Sequence, residues 1–379
     1  MYPQYPCIVC VEVYPQYPCI VCVEVYPQYP CIVCVEVYPQ YPCIVCVEVY
    51  PQYPCIVCVE VLCAPEDAFE VYQTLQTRLS EVEQQETAIT GNVQLKRYRF
   101  DLQKAINTPV NAIAATSGSH LRDKLQRIIA LLSGHQVDVG SKRVSAADHP
   151  VAIAFCSNLF ASKIVKQGDE QISSNHESAF PVAAVAIGVW CECPAVGELL
   201  LAHFHRRCPY LVPYHVPKKE GQTSEQYYRS IGYKHEDGEV EKQDKFLKRM
   251  SGIMRLYAAI IISPPPGVRR HHSSHPHGLE HGWAWLTRVT NMQPWPDITA
   301  TLLFDFLEVT GHAFVKTYGQ QFNKLLQVIV TEFVPKLHQV SPAGAGGPVA
   351  RLESFLEKCI KLRHIQPPQG LLPAHFWQT

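Results

Sequence analysis

No apolar run in this 379-residue chain reaches the roughly 18 residues that a membrane-spanning helix requires. The formal net charge is −1 and only 18% of residues are charged, which argues against a strongly basic nucleic-acid coat. The N-terminus lacks a basic segment followed by a long apolar core, so no secretory signal is expected. Catalytic signatures are missing too. There is no Gly-x-Ser-x-Gly elbow, no Gly-x-x-x-x-Gly-Lys phosphate loop and no Gly-x-Gly-x-x-Gly dinucleotide fingerprint.

Cysteine and proline, in contrast, are plentiful, at 16 and 30. Ten of each fall in residues 2–61, five unbroken copies of the twelve-residue unit YPQYPCIVCVEV. Five Cys-x-x-Cys pairs, beginning with Cys7/Cys10 and Cys19/Cys22, suggest zinc. In a strand, however, positions i and i+3 face opposite ways, and Ile-Val between the cysteines is a poor turn pair. A hairpin stack or β-solenoid would need Gly or Asn to turn the chain, and the unit has neither. Five identical copies read as a recent expansion or an assembly artefact, and no chemistry is assigned to 1–61. Its Cys-Ile-Val-Cys-Val core is an aggregation risk. The remainder, 62–379, holds six cysteines and a charge of +4.

From Pro65 the pattern becomes helical. Ala68, Tyr72, Leu75, Leu79 and Val82 form a 4-3-4-3 stripe, which suits either a short coiled coil or an amphipathic helix, and 62–96 is assigned as the helical end of a coiled-coil region. Gly91-Asn92 breaks it, and a second helix runs to Ile106 before Asn107-Thr108-Pro109. Ser119 is the expected cap of a helix with Leu121, Leu125, Ile128 and Leu132 on one face and Gly134 as its stop. A loop over Ser141–Asp148 leads to a helix ending at Lys166-Gln167-Gly168. Further helices are expected near 177–190, 194–206, 240–262, 278–291, 297–317, 319–338 and 348–363. A polar loop with one short helix is expected at 215–239, and a flexible joint at 341–347. Strand signals are nearly absent outside the repeat. The expected fold of 97–379 is all-α, in HEAT-repeat-like stacked helix pairs.

Three groups of residues could carry chemistry. His277 and His281, with Glu280 between them, could ligate a metal in an enzyme, but His-Glu-x-x-His spacing is absent and Gly278 and Gly282 make a flexible platform. A helix-entry turn at His275–Gly278 with a packing His281 explains the same residues. Cys156, Cys191, Cys193, Cys208 and Cys359 sit in apolar or Pro-flanked settings that favour inert thiols. Asp305 and Glu308 read as a solvated helix edge. The third group is basic. Lys163 and Lys166 close one helix; His203, Arg206 and Arg207 close another before Cys208-Pro209. The helix dipole alone favours such charges. Two such ends side by side would also bind a compact polyanion, because guanidinium forks grip phosphate bidentately.

The body resembles the C-terminal domain of the GLE-one RNA export mediator family. The resemblance is carried by LQKAINTPVNAI at 102–113, KIVKQGDEQISSNHESAFPVAAVAIGVW at 163–190 and LLLAHFHRRCPYLVPYHVP at 199–217. Further blocks are KFLKRMSGIMRLYAAII at 245–261, HPHGLEHGWAWL at 275–286, TATLLFDFLEVTGHAF at 299–314 and RLESFLEKCI at 351–360. It covers roughly 97–379. It implies an all-helical, non-enzymatic mRNA-export factor at the cytoplasmic face of the nuclear pore, also present in cytoplasm and nucleus. Such a protein binds a DEAD-box RNA helicase and stimulates its ATPase, with inositol hexakisphosphate as the bridging ligand. Further implied partners are nuclear pore proteins and translation initiation and termination factors, with no sequence-specific nucleic-acid contact. By motif, the family's polyphosphate-binding side chains fall on Lys163, Lys166, His203, Arg206 and Arg207. The family's usual pair before Cys-Pro is Lys-Lys; Arg206-Arg207 keeps the charge and changes the geometry. His203 stands where fungal members carry Arg, which implies a looser hold on the ligand. His271 and His272 lie in a loop that departs from the family pattern. Animal members carry an N-terminal pore-targeting segment and a long coiled coil where this sequence has the repeat. A passive helical scaffold, which binds without activating, is the competing reading.

Overall fold

The computed structural model describes residues 65–213, 221–236, 238–266, 275–296, 298–341 and 346–378, the side chains of 65–67 and 236 excepted. The repeat at 1–61 and its cysteine pairs, the His271/His272 loop and most of the 341–347 joint lie outside them. Helix α1 is Pro65–Gln85, followed after a short turn by α2 (Lys96–Asn111) and α3 (Gly118–Leu132). A hairpin of β1 (Gln136–Val139) and β2 (Lys142–Ser145) leads to α4 (Ala152–Gln167), α5 (Ala179–Glu192) and α6 (Ala195–Arg207). Then come α7 (Ser224–Ser230), a two-residue ladder of β3 (His235–Glu236) with β4 (Glu239–Val240), and α8 (Gln243–Ile262). Helices α9 (Leu279–Asn291), α10 (Thr299–Tyr318), α11 (Gln320–Val328), α12 (Val334–Val340) and α13 (Gly347–Leu362) complete the described order.

The packing is that of stacked helix pairs. Helices α2, α4 and α6 pack in succession in one layer, while α3, α5, α8, α10 and α13 follow one another in the second. Two layers of helices, each packed in succession, are the arrangement expected for a HEAT-like all-α stack. The centre is α8, buried without interruption from Arg249 to Ile261 and covered by α5, α10 and the chain after α4. The α1 stripe is used within this body: Ala68, Leu75, Leu79 and Val82 are buried, and the helix packs on α4 and α6.

Four local expectations need correction. Helix α2 continues past Ile106 through Pro109, because a proline in the last turn forfeits only one intrahelical bond. Ser117, not Ser119, caps α3; its hydroxyl accepts from the His120 amide at 3.1 Å. The start of the loop read at 141–148 is half of a hairpin, with Val137 opposite Val144 and Gly140 at φ +63° supplying the turn. Asp305, read as solvated, is buried on α10, and its carboxylate accepts from Arg255 of α8 at 2.8 Å. Helices α8 and α10 bury that pair between them. Glu308, half-exposed, completes the clasp on Arg255.

Helix α4 does not stop at Gly168. It widens into a π-turn over Gly168–Ile172, with one extra residue per turn. This turn lies directly on α8. A Cβ on Gly252 would sit 2.2 Å from the Gly168 carbonyl oxygen and 2.6 Å from the Ser173 amide nitrogen, so only glycine admits the approach.

Candidate functional site

The two basic helix ends meet at this π-turn. Lys166, in the last turn of α4, pairs with Glu170 at 3.0 Å. Arg207, the last residue of α6, lies 3.6 Å from the neighbouring carboxylate, Asp169. Arg206 reaches the other way and forks onto Glu83 of α1 at 2.6 and 3.3 Å, while its Nε donates to Gln76 at 3.0 Å. Lys163 is one turn before Lys166, half-exposed, and forms no ion pair among the described residues. Burial lowers the Arg207 pKa, and Asp169 and Glu170 oppose the shift. A guanidinium is charged throughout the ordinary pH range regardless.

His203 has a different place. It is buried, and its Nε2–H donates to the Asn158 amide oxygen at 2.7 Å. Burial, reinforced by Arg206 and Arg207, brings its pKa down to about 3. The imidazole is therefore neutral and turned into the protein, which removes it from the solvent-facing cations. Asn158 in turn donates to Glu86 at 2.8 Å, and burial raises that carboxyl to about 7. His203 thus positions the α4–α6 contact beneath the arginines.

Two further cations, missed in the sequence, belong to this surface. Lys234, just before β3, pairs with Asp169 at 2.8 Å. Arg249 of α8 lies 3.5 Å from the same carboxylate and donates through Nε to Glu241 at 2.8 Å. Asp169 is a buried hub on which Arg207, Lys234 and Arg249 converge. Arg249 heads the buried stretch of α8 that runs to Ile261, and a buried cation requires a carboxylate partner, though the sequence does not say which. Lys166, Arg206, Arg207, Lys234 and Arg249 pair with Glu83, Asp169, Glu170 and Glu241, five cations to four carboxylates, and Lys163 lies one turn from Lys166. The set is basic, partly solvent-open and rich in forked donors, which fits a compact polyanion.

The other candidates are packing residues. His277 is buried, bonded to the Tyr257 hydroxyl at 3.0 Å and stacked on Trp190, and burial holds its pKa well below the usual histidine value. Its ring centroid is 4.0 Å from that of His281, whose Nδ1 meets Glu280 at 3.3 Å. Among the described residues no group of three or more His, Cys, Asp or Glu could hold a metal ion. Cys156, Cys208 and Cys359 are buried free thiols, and burial pushes the first two up to about 12. Such thiols are poor nucleophiles.

The sequence signature of the family described as GLE1-like protein matches residues 72–330. The chain belongs to this family. Mouse mRNA export factor GLE1 is 47% identical over 287 residues, 76% of this chain and 41% of that protein. The Drosophila melanogaster mRNA export factor Gle1 is 40% identical over 284 residues, 75% of this chain and 41% of that protein. The chain therefore spans about two fifths of the length of these GLE1 relatives. A chain in the solved structure of the S. cerevisiae Dbp5 C-terminal domain bound to Gle1 and IP6 has the same fold. Its TM-score is 0.70 at 19% identity, covering 82% of this chain and all of that one. The GLE1-like match begins inside α1 and ends inside the second π-turn, Ile329–Phe333, so it includes Arg206, Arg207 and the Asp169 hub.

Proposed function

We propose that this chain is a non-catalytic mRNA-export regulator that binds a DEAD-box RNA helicase and stimulates its ATPase, with inositol hexakisphosphate bridging the two proteins. The observation that carries the reading is the meeting of the α4 and α6 C-termini at the Asp169–Glu170 turn. Lys163, Lys166, Arg206 and Arg207 are the side chains offered to the ligand, and Lys234 extends the set. Two supports come from kin: relatives named as mRNA export factors, and a fold neighbour in complex with Dbp5 and IP6.

The chemistry follows from charge. A polyphosphate gains charge-assisted bonds from Arg206 and Arg207 on one side and presents its remaining phosphates to a second basic surface. The carboxylates of Glu83, Asp169 and Glu170 hold these cations in place in its absence, so they do not collapse onto the protein elsewhere. A bridging ligand that contacts one helicase conformation better than another shifts the helicase toward that conformation. That differential contact is how a partner without catalytic groups accelerates an ATPase cycle. Kinship extends the proposal to the cytoplasmic face of the nuclear pore, to pore proteins there and to translation initiation and termination factors.

Calorimetric titration of inositol hexakisphosphate tests the site. Charge-assisted bonds are worth about 1.5–3 kcal/mol each. The Arg206→Gln/Arg207→Gln variant is therefore expected to bind at least about tenfold more weakly than the parent. Equal affinity in the two proteins would remove the site.

A further inference from the structure

Helix α2 has a second, unpartnered face. Leu102, Ile106, Pro109 and Val110 are buried, and the Tyr98 hydroxyl donates to the Ser145 carbonyl at 2.7 Å. These contacts fix the helix against the hairpin and the core. The opposite face leaves Phe100 63% exposed, and Val93, in the turn entering the helix, 83% exposed. Residues three and four apart share a helix face, so Phe100 is ringed by Lys96, Arg97, Gln103 and Lys104. Val93, Lys96, Arg97, Arg99, Phe100 and Gln103 line a shallow open groove of about 440 Å³. Lys96, Arg97 and Lys104 make no ion pair among the described residues. Asp101 is half-buried and lies one position round the helix from the ring.

The pattern discriminates between occupants. A helix docking here would need an apolar seam recurring every three or four residues. Between and beyond Val93 and Phe100 those positions hold Lys96, Arg97, Gln103 and Lys104, so no seam exists. An acidic peptide would use the cations and leave the ring without a role. A strand that alternates phosphates with flat apolar bases uses both, since cations track the backbone and an exposed aromatic ring stacks a base in any sequence.

We infer that this groove binds single-stranded RNA, one base stacking on Phe100 while neighbouring phosphates meet Lys96, Arg97 and Lys104. It is independent of the polyphosphate site, with which it shares no residue.

Fluorescence anisotropy with a labelled oligouridine of about twelve nucleotides, within the usual span of such sites, measures the affinity. The parent is expected to bind with a salt-dependent constant. Phe100→Ala weakens binding about 5- to 150-fold, the usual range for one stacked base. Lys96→Gln/Arg97→Gln flattens the slope of log K against log salt by about 1.4. All three positions are surface ones, so Tm should not move; a melting scan of each variant verifies this. Arg206→Glu/Arg207→Glu should leave RNA affinity intact. Four results would overturn the assignment. One is no binding by the parent at about 0.1 mM, the weak end of non-specific affinity. The others are unchanged affinity in Phe100→Ala, equal competition by poly-glutamate of matched charge, or loss of RNA binding in the Arg206/Arg207 variant.

Discussion

Replacing Asp169 by Asn keeps the volume of the side chain and removes the charge on which three cations converge. Lys234 Nζ, Arg249 Nη1 and Arg207 Nη1 lie 2.8, 3.5 and 3.6 Å from it. At an effective dielectric of about 20, each pair has a gross attraction of about 5 kcal/mol. Desolvation of the buried carboxylate cancels much of that. Arg249 keeps Glu241, and Arg207 and Lys234 keep some water, so the net loss sits at the low end for a broken buried pair, about 3 kcal/mol. Across roughly 300 residues, with an unfolding entropy of about 0.6 kcal/mol/K, that lowers Tm by about 5 °C. Thermal denaturation at about 0.15 M salt reads it directly. The same experiment has a second arm. Without Asp169 the three cations repel one another, and a polyanion relieves that repulsion. Inositol hexakisphosphate should therefore raise Tm more in Asp169→Asn than in the parent. A fall of less than about 2 °C, with an unchanged ligand shift, would refute the reasoning that Asp169 restrains the basic cluster.

Gly252→Ala should cost about 1–3 kcal/mol or more through backbone overpacking at the Gly168 carbonyl, which a melting scan checks. The Glu86 carboxyl is raised from 4.5 to about 7, so its contribution to stability is complete below about pH 4.5 and lost as pH rises through about 7. Glu86→Gln keeps the Asn158 bond, and its Tm should exceed the parent's above pH 7 and match it near pH 4.5. His203 and His205 are lowered from 6.5 to about 3 and about 4, so the unfolded chain takes up their protons first. Their contribution is complete above pH 6.5 and lost as pH falls, through about 4 for His205 and about 3 for His203. His203→Gln, which can still donate to Asn158, should show a shallower loss of Tm over that window.

Much of the fold was legible because helices advertise themselves locally. Leu121, Leu125, Ile128 and Leu132 mark the buried face of α3, and the stripe from Ala68 to Val82 marks that of α1. The hairpin at 136–145 was harder, since two four-residue strands give too few alternations to stand out. At the site, helix ends were readable and orientation was not. His203 and Arg206 share a face by spacing, yet one is buried against Asn158 and the other is an exposed partner of Glu83, held by residues 45 and 123 positions away. Gly168 read as a stop, although here glycine permits the π-turn to lie on α8. Lys234 and Arg249 could not be assigned to the site for the same reason: Asp169 gathers them through tertiary contacts that no local pattern encodes. Asp305 shows the cost of judging a carboxylate by its helix alone, because its partner Arg255 lies on another helix.

The central claim is tested most directly by the RNA-stimulated ATPase rate of the helicase with this chain, in the presence and absence of inositol hexakisphosphate. The parent is predicted to raise the rate, and to raise it further with the polyphosphate, while Arg206→Glu/Arg207→Glu loses the polyphosphate-dependent part. A variant that stimulates as well as the parent would contradict the site. A helicase that binds the chain and keeps its basal rate would contradict activation and leave a passive scaffold.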